Sequence, residues 1–117
     1  MLGFAAVDCQ SGAWTGGGNA RIAFFEQRAT GGTFNFVTTK NAIVFVSGSS
    51  FRKGNDLYTN IFVNGVICAR DRGTETTLGP DHNYHASAAC MIPVPAGMHS
   101  VTITERVIAS HVLVLEL

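Results

Sequence analysis

Apolar residues along this chain recur with a period of two, and almost nowhere with the period of a helix. Turn-forming residues interrupt them about every 8–12 residues, the spacing of an all-β sandwich or barrel. Strands are predicted near 3–8, 20–26, 33–38, 42–51, 57–63, 66–70, 85–93, 98–105 and 111–117. Breaks are predicted at WTGGGN (14–19), TGG (30–32), RKGND (52–56) and LGPDHN (78–83). No internal repeat and no linker divides the pattern, so residues 1–117 read as one domain. The fold class is all-β, an antiparallel β-sandwich of about eight strands.

Three stretches carry the most local information. In NIFVNGVICAR, residues 60–70, Asn64-Gly65 separates two apolar runs. That dipeptide is the preferred two-residue hairpin turn, because both central residues must take positive φ. The expected register sets Val63 beside Val66, Cys68 opposite Ile61 and Arg70 opposite Thr59. The final strand, HVLVLEL, carries Leu113, Leu115 and Leu117 on one face and Val112 and Val114 on the other. AIVFV at 42–46 has the same two-faced character, which is expected of strands covered on both sides. In CMIPVPAGMHSVTITE (90–105), Pro93 and Pro95 cannot donate ladder hydrogen bonds, so the preceding strand ends there or runs along an edge. Gly97 then supplies a turn, Val101 and Ile103 face the core, and Ser100, Thr102 and Thr104 face out.

Composition adds a constraint on partners. Charged residues are 14% of the chain and the formal net charge is zero, against roughly 25% charged in ordinary soluble domains. No basic footprint points to nucleic acid. No apolar run approaches the ~20 residues of a membrane-spanning helix. With 46% hydrophobic residues and little charge repulsion, the surplus apolar surface is expected to be covered by sister copies. The first residues, MLGFAAVDCQSGAW, lack a basic segment, and Asp8 cuts the apolar run, so they do not read as a secretory signal. Synthesis in the cytoplasm without export is the expectation. Cys9, Cys68 and Cys90 match no zinc spacing. Free core thiols are the first expectation for them, and a Cys68–Cys90 bridge is the alternative.

From residue 57 onward the chain shows LYTNIFVNGVICAR, a polar excursion, HASAACMIPVPAGMHSVTI and finally SHVLVLEL. This order resembles the C-terminal half of compact jelly-roll modules. Such modules include the trimer-forming tumour-necrosis-factor and complement-like heads and small β-sandwich subunits of tailed-bacteriophage virions. The resemblance implies a jelly roll that forms a homotrimer or higher symmetric oligomer. It also implies a structural role on a virion, as a decoration, tail-tip or fibre subunit alongside other virion proteins, with synthesis in the host cytoplasm. The alternative is a carbohydrate-binding module or lectin-like receptor-binding head, with a glycan as partner.

Candidate contact residues fall in three places. GPDHNYHAS (79–87) gathers Asp81, His82, Asn83, Tyr84 and His85, read as a polar loop. Histidines three apart can share a metal, but only His99 or His111 could complete the set, so neither metal nor cofactor is expected. Arg70, Asp71 and Arg72 follow the hairpin; by default such a cluster solvates a surface loop, and otherwise it could pair across an interface or hold an acidic ligand. Trp14, beside Gly16, Gly17 and Gly18, is expected to pack over one end of the sandwich or anchor an interface; alternatively it could stack on a sugar, with Asn19 or Asn83 and Tyr84 supplying hydrogen bonds. Ser47-Gly48-Ser49-Ser50 lacks the form of a nucleophile elbow, and no phosphate loop or dinucleotide fingerprint occurs, so no enzyme activity is expected.

Overall fold

Alternating side chains become extended backbone at nearly every predicted position. The computed structural model describes residues 7–10, 13–16, 20–54, 57–73, 83–104 and 106–117, and among these the side chains from residue 20 onward. In chain order the strands are β1 (Val7–Gln10), β2 (Ala13–Gly16), β3 (Arg21–Arg28), β4 (Gly32–Thr38), β5 (Ala42–Lys53), β6 (Leu57–Val63), β7 (Val66–Gly73), β8 (Asn83–Val94), β9 (Gly97–Thr104) and β10 (Val107–Glu116). Of the predicted strand 3–8, only Val7 and Asp8 lie within the described residues, where they belong to β1. The break predicted at 14–19 is corrected in part: Trp14 and Thr15, both strand formers, pair with Cys9 and Asp8 in a β1–β2 hairpin.

The other eight strands form two antiparallel four-stranded sheets, one in the order β3-β10-β5-β8 and the other β4-β9-β6-β7. Only the β6–β7 connection stays within one sheet; every other link in β3–β10 crosses to the facing layer. This is the connectivity of a jelly roll, two Greek keys wound into a sandwich. Its core interleaves Phe34, Ile61, Val101 and Ile103 from one sheet with Val44, Val46, Val112 and Val114 from the other. Val101 and Ile103 point inward as expected, while Ser100, Thr102 and Thr104 lie on the half-exposed outer face. Strand β10 starts at Val107 rather than 111, because buried Val107 and Ser110 extend it past a bulge opposite Ser49 and Ser50.

The Asn64-Gly65 turn forms as expected, with φ of 50° and 80°, and Val63 faces Val66. The register beyond it differs. A bulge places Phe62 opposite Ile67 but Ile61 opposite Ala69, so Cys68 has no partner across the ladder. Arg70 therefore faces Asn60, not Thr59, which faces Asp71. A bulge adds one residue and bends its strand. Here it turns Cys68 toward the opposite sheet and keeps Ala69 on the core side as well.

That bend closes one side of the sandwich. Edge strand β7 of one sheet meets edge strand β8 of the other at three levels. Cys68 and Cys90 are joined by a disulfide, with Cα atoms 6.1 Å apart. Of the two cysteine readings, the bridge is therefore the one found. Asp71 Oδ2 accepts the backbone N–H of Ser87 at 2.8 Å. Gly73 passes so close that a Cβ there would lie 2.7 Å from the carbonyl carbon of His85. At the opposite edges, Phe24 stacks on Phe36 with centroids 5.3 Å apart. The guanidinium of Arg28, which pairs with Glu26, lies 3.9 Å above the Phe34 ring.

Pro93 sits within β8, tolerated because β8 is an edge strand. At the corner that follows, the Pro95 carbonyl accepts from Thr38 Oγ1 at 3.1 Å and from His99 Nε2 at 2.7 Å. Asn64 Nδ2 donates to His99 Nδ1 at 3.0 Å, and its Oδ1 accepts the Ser100 N–H at 2.9 Å. The hairpin turn and the proline corner are thus held together.

The chain's last strand ends on a buried acid. Glu116 accepts the Thr39 N–H at 3.0 Å and the Thr39 hydroxyl at 2.9 Å, and Arg21 Nη2 lies 3.1 Å from both of its oxygens. The Thr39 amide, together with Arg21 and the Thr39 hydroxyl, lowers its pKa against the opposing effect of burial. A carboxylate whose folded pKa is depressed contributes stability above its unfolded value and loses that contribution as pH falls through the folded one. Glu116→Gln should therefore be less stable than the parent at pH 7, and the difference should shrink below the ordinary carboxylate range. Urea unfolding at neutral and acidic pH measures this; a gap independent of pH would contradict it.

Candidate functional site

The two outer faces of the sandwich differ in how their apolar residues are arranged, and the register shows how. On the first sheet, Phe25, Leu113, Phe45 and Met91 stand in one row across all four strands. The next row is Ile22, Leu115, Ile43 and Pro93. Their neighbours along each strand point the other way, and Val44, Val46, Val112 and Val114 fill the core. The two-faced character expected of β5 and β10 is thus present and continues onto β3 and β8. Ile22 is 60% exposed, Phe25 55% and Met91 62%. Phe25, Phe45, Met91 and Leu113 line a shallow depression of about 590 Å³, with Ser47 and His111 at its rim. Ser47 Oγ lies 3.5 Å from His111 Nδ1, at the outer limit of a hydrogen bond.

The second sheet's outer face mixes hydroxyls and amides with exposed apolar side chains, Met98 at 86% and its ladder partner Val37 at 60%. Thr33 and Thr102 hydroxyls meet at 3.0 Å. Asn60 Nδ2 contacts Thr104 Oγ1 at 3.4 Å, and its Oδ1 accepts from Arg70 Nε at 2.7 Å. The guanidinium carbons of Arg70 and Arg72 lie 5.6 and 5.5 Å from the centre of the Tyr58 ring.

The residues singled out from sequence are distributed over both layers. Arg70, Asp71 and Arg72 are not in a loop after the hairpin but within β7, which extends to Gly73. Alternation sends the arginines outward and Asp71 toward β8. The polar stretch 79–87 is likewise strand from Asn83 on. Tyr84, expected to supply a surface hydrogen bond beside Trp14, is instead buried with Leu57 and Ala86 in a small second core cluster. Asn83 is exposed opposite Lys53, and the His85 ring lies 5.1 Å from that of Phe51. Asp81, His82 and Asn19 lie outside the described residues. So does the side chain of Trp14, whose backbone pairs with Cys9. His99 is buried at the proline corner and His111 stands on the first sheet's outer face. Among the described residues, no three His, Cys, Asp or Glu side chains gather as a metal site.

Ile22, Phe25 and Met91 were not among the residues expected to make contacts. The adjacent phenylalanines of RIAFFEQR held the signal, since in a strand one of the two must face out. No protein-family model and no curated protein matches the chain.

Proposed function

We propose that this chain is a structural subunit that assembles with copies of itself through the outer face of its first sheet. The observation that carries the reading is the apolar row Phe25–Leu113–Phe45–Met91, which crosses the whole sheet with its ends more than half exposed. Four strands make the face about 19 Å wide, and the two apolar rows extend about 14 Å along it. That supplies the apolar centre of an interface of standard size, about 800 Å² on each partner. A patch this large is uncommon on a protein that stays single, and a net charge of zero offers little repulsion between copies. The resemblance to compact trimer-forming jelly rolls supplies the setting: a homotrimer or larger ring on a virion, as a decoration, tail-tip or fibre component.

Light scattering coupled to size exclusion tests the assembly. At micromolar concentration the parent should run at a multiple of its 12.4 kDa mass. The double variant Phe25→Arg/Met91→Arg should run as a single chain with unchanged circular dichroism. A parent that is monomeric under these conditions would overturn the proposal.

A further inference from the structure

We propose that the first sheet's apolar face docks on the second sheet's outer face in another copy, with Met98 and Val37 entering the depression between Phe25 and Met91. This rests on the self-assembly reading and gives it a direction, head to tail.

Met98 is the most exposed large apolar side chain among the described residues, and Val37 stands beside it in the ladder. A flexible thioether in that position readily fills an irregular hollow. The backbone beneath it is already fixed. Thr38 and His99 donate to the Pro95 carbonyl, and Asn64 bonds both His99 and the Ser100 amide. Docking such a held segment loses little conformational freedom.

The first face has the complementary shape. Phe25 and Met91, on the two edge strands, are more than half exposed, while Phe45 and Leu113 between them are half-buried. Two such hollows set face to face would leave a gap, and atoms lining a gap lose their contacts. A narrow apolar ridge fills it.

Placement along the sandwich agrees with this pairing. Val37 precedes the last residue of β4 and Ile43 follows the first of β5, across a connection of three residues. Pro93 and Met98 flank the β8–β9 corner in the same way. Both apolar patches therefore lie at one end of the molecule, on opposite sheets. A second copy stacked without inversion brings Met98 and Val37 over the apolar rows of the first. The next rows match as well. Away from that end, the first face continues with Gln27, His111 and Ser47, and the second with Asn35 and Ser100. Polar groups then meet polar groups beside an apolar centre, the usual anatomy of an interface. Neither set contains Asp, Glu, Lys or Arg, so no carboxylate or basic side chain in them is stripped of water. A contact between unlike faces repeats from copy to copy and closes into a ring where the rotation allows.

Light scattering coupled to size exclusion, on the full chain alone and in mixtures, tests the direction. Where the parent assembles, Val37→Arg/Met98→Arg should run as a single chain, as Phe25→Arg/Met91→Arg should. Mixed in equal amounts, the two variants should form a complex of two chains and no larger, because each keeps the face that the other has lost. That pairing also shows both variants to be folded. Met98→Ser alone, a milder change, should weaken association roughly tenfold, as for loss of one anchor side chain. A Val37→Arg/Met98→Arg protein that assembles like the parent, a mixture that stays single with unchanged circular dichroism, or a Met98→Ser protein of undiminished affinity would each overturn head-to-tail docking. Assembly through the first sheet would survive those results. A monomeric parent would overturn both.

Discussion

Reducing the Cys68–Cys90 bridge should destabilise the protein by about 3 kcal/mol, the loop-closure entropy expected for a cross-link spanning 22 positions. For a chain of this length that is a fall in melting temperature of roughly 10–15 °C. The loss should begin locally. Beside the bridge, β7 and β8 are tied by the charged hydrogen bond from Ser87 to Asp71 and by the close approach of Gly73 to His85. Amide exchange in β7 should therefore accelerate before that of β5 or β10. Thermal scans with and without reductant, and Cys68→Ala/Cys90→Ala without it, measure the effect. A melting temperature that moves by less than a few degrees in both would refute it. Under denaturing, non-reducing conditions the chain should titrate as one free thiol, from Cys9.

The second large effect belongs to the core. Phe34 is fully buried, and its outer ring face is covered by the Arg28 guanidinium. Phe34→Ala should cost about 3–5 kcal/mol, since it removes a large apolar side chain and leaves a void that the rigid sheets cannot fill. Marginal stability of roughly 5–15 kcal/mol makes this a loss of a third or more. Phe25→Ala is the informative contrast. That ring is 55% exposed, so its removal should barely change unfolding of the isolated chain while weakening self-association. Urea titration of both variants distinguishes the roles; equal losses would mean that the core and the outer face of the first sheet are not energetically distinct.

The sandwich was legible from sequence wherever alternation was strong. β4, β5, β6 and β9 lie close to the expected positions, and the Asn-Gly turn forms where that dipeptide requires it. The final strand was read correctly as apolar on both faces but begins earlier than expected, since Ala109 and Ser110 are weak strand signals. β8 was blurred for the same reason. Its inward positions include Ala86 and Ala88, which carry little hydrophobic contrast, so Asn83–His85 read as loop. The Cys68 bulge has no local signature, and with it went the side on which Arg70 and Arg72 emerge. The disulfide depends on which strands become facing edges of different sheets, a property of the whole topology. The apolar face was legible in β5 and β10, but its extension to Phe25 and Met91 required the register.

The two margins of the sandwich are protected by different means. One is laced shut. At the other, β3 has no second partner strand among the described residues, but a bulge interrupts it between the residues facing Val114 and Leu115, and Arg21, Glu26 and Arg28 lie along it. Kinks and charges on an exposed rail oppose the docking of a foreign strand. In the proposed assembly, the rims would thus be poor places for copies to join, and the apolar plane of the first sheet would carry the contact.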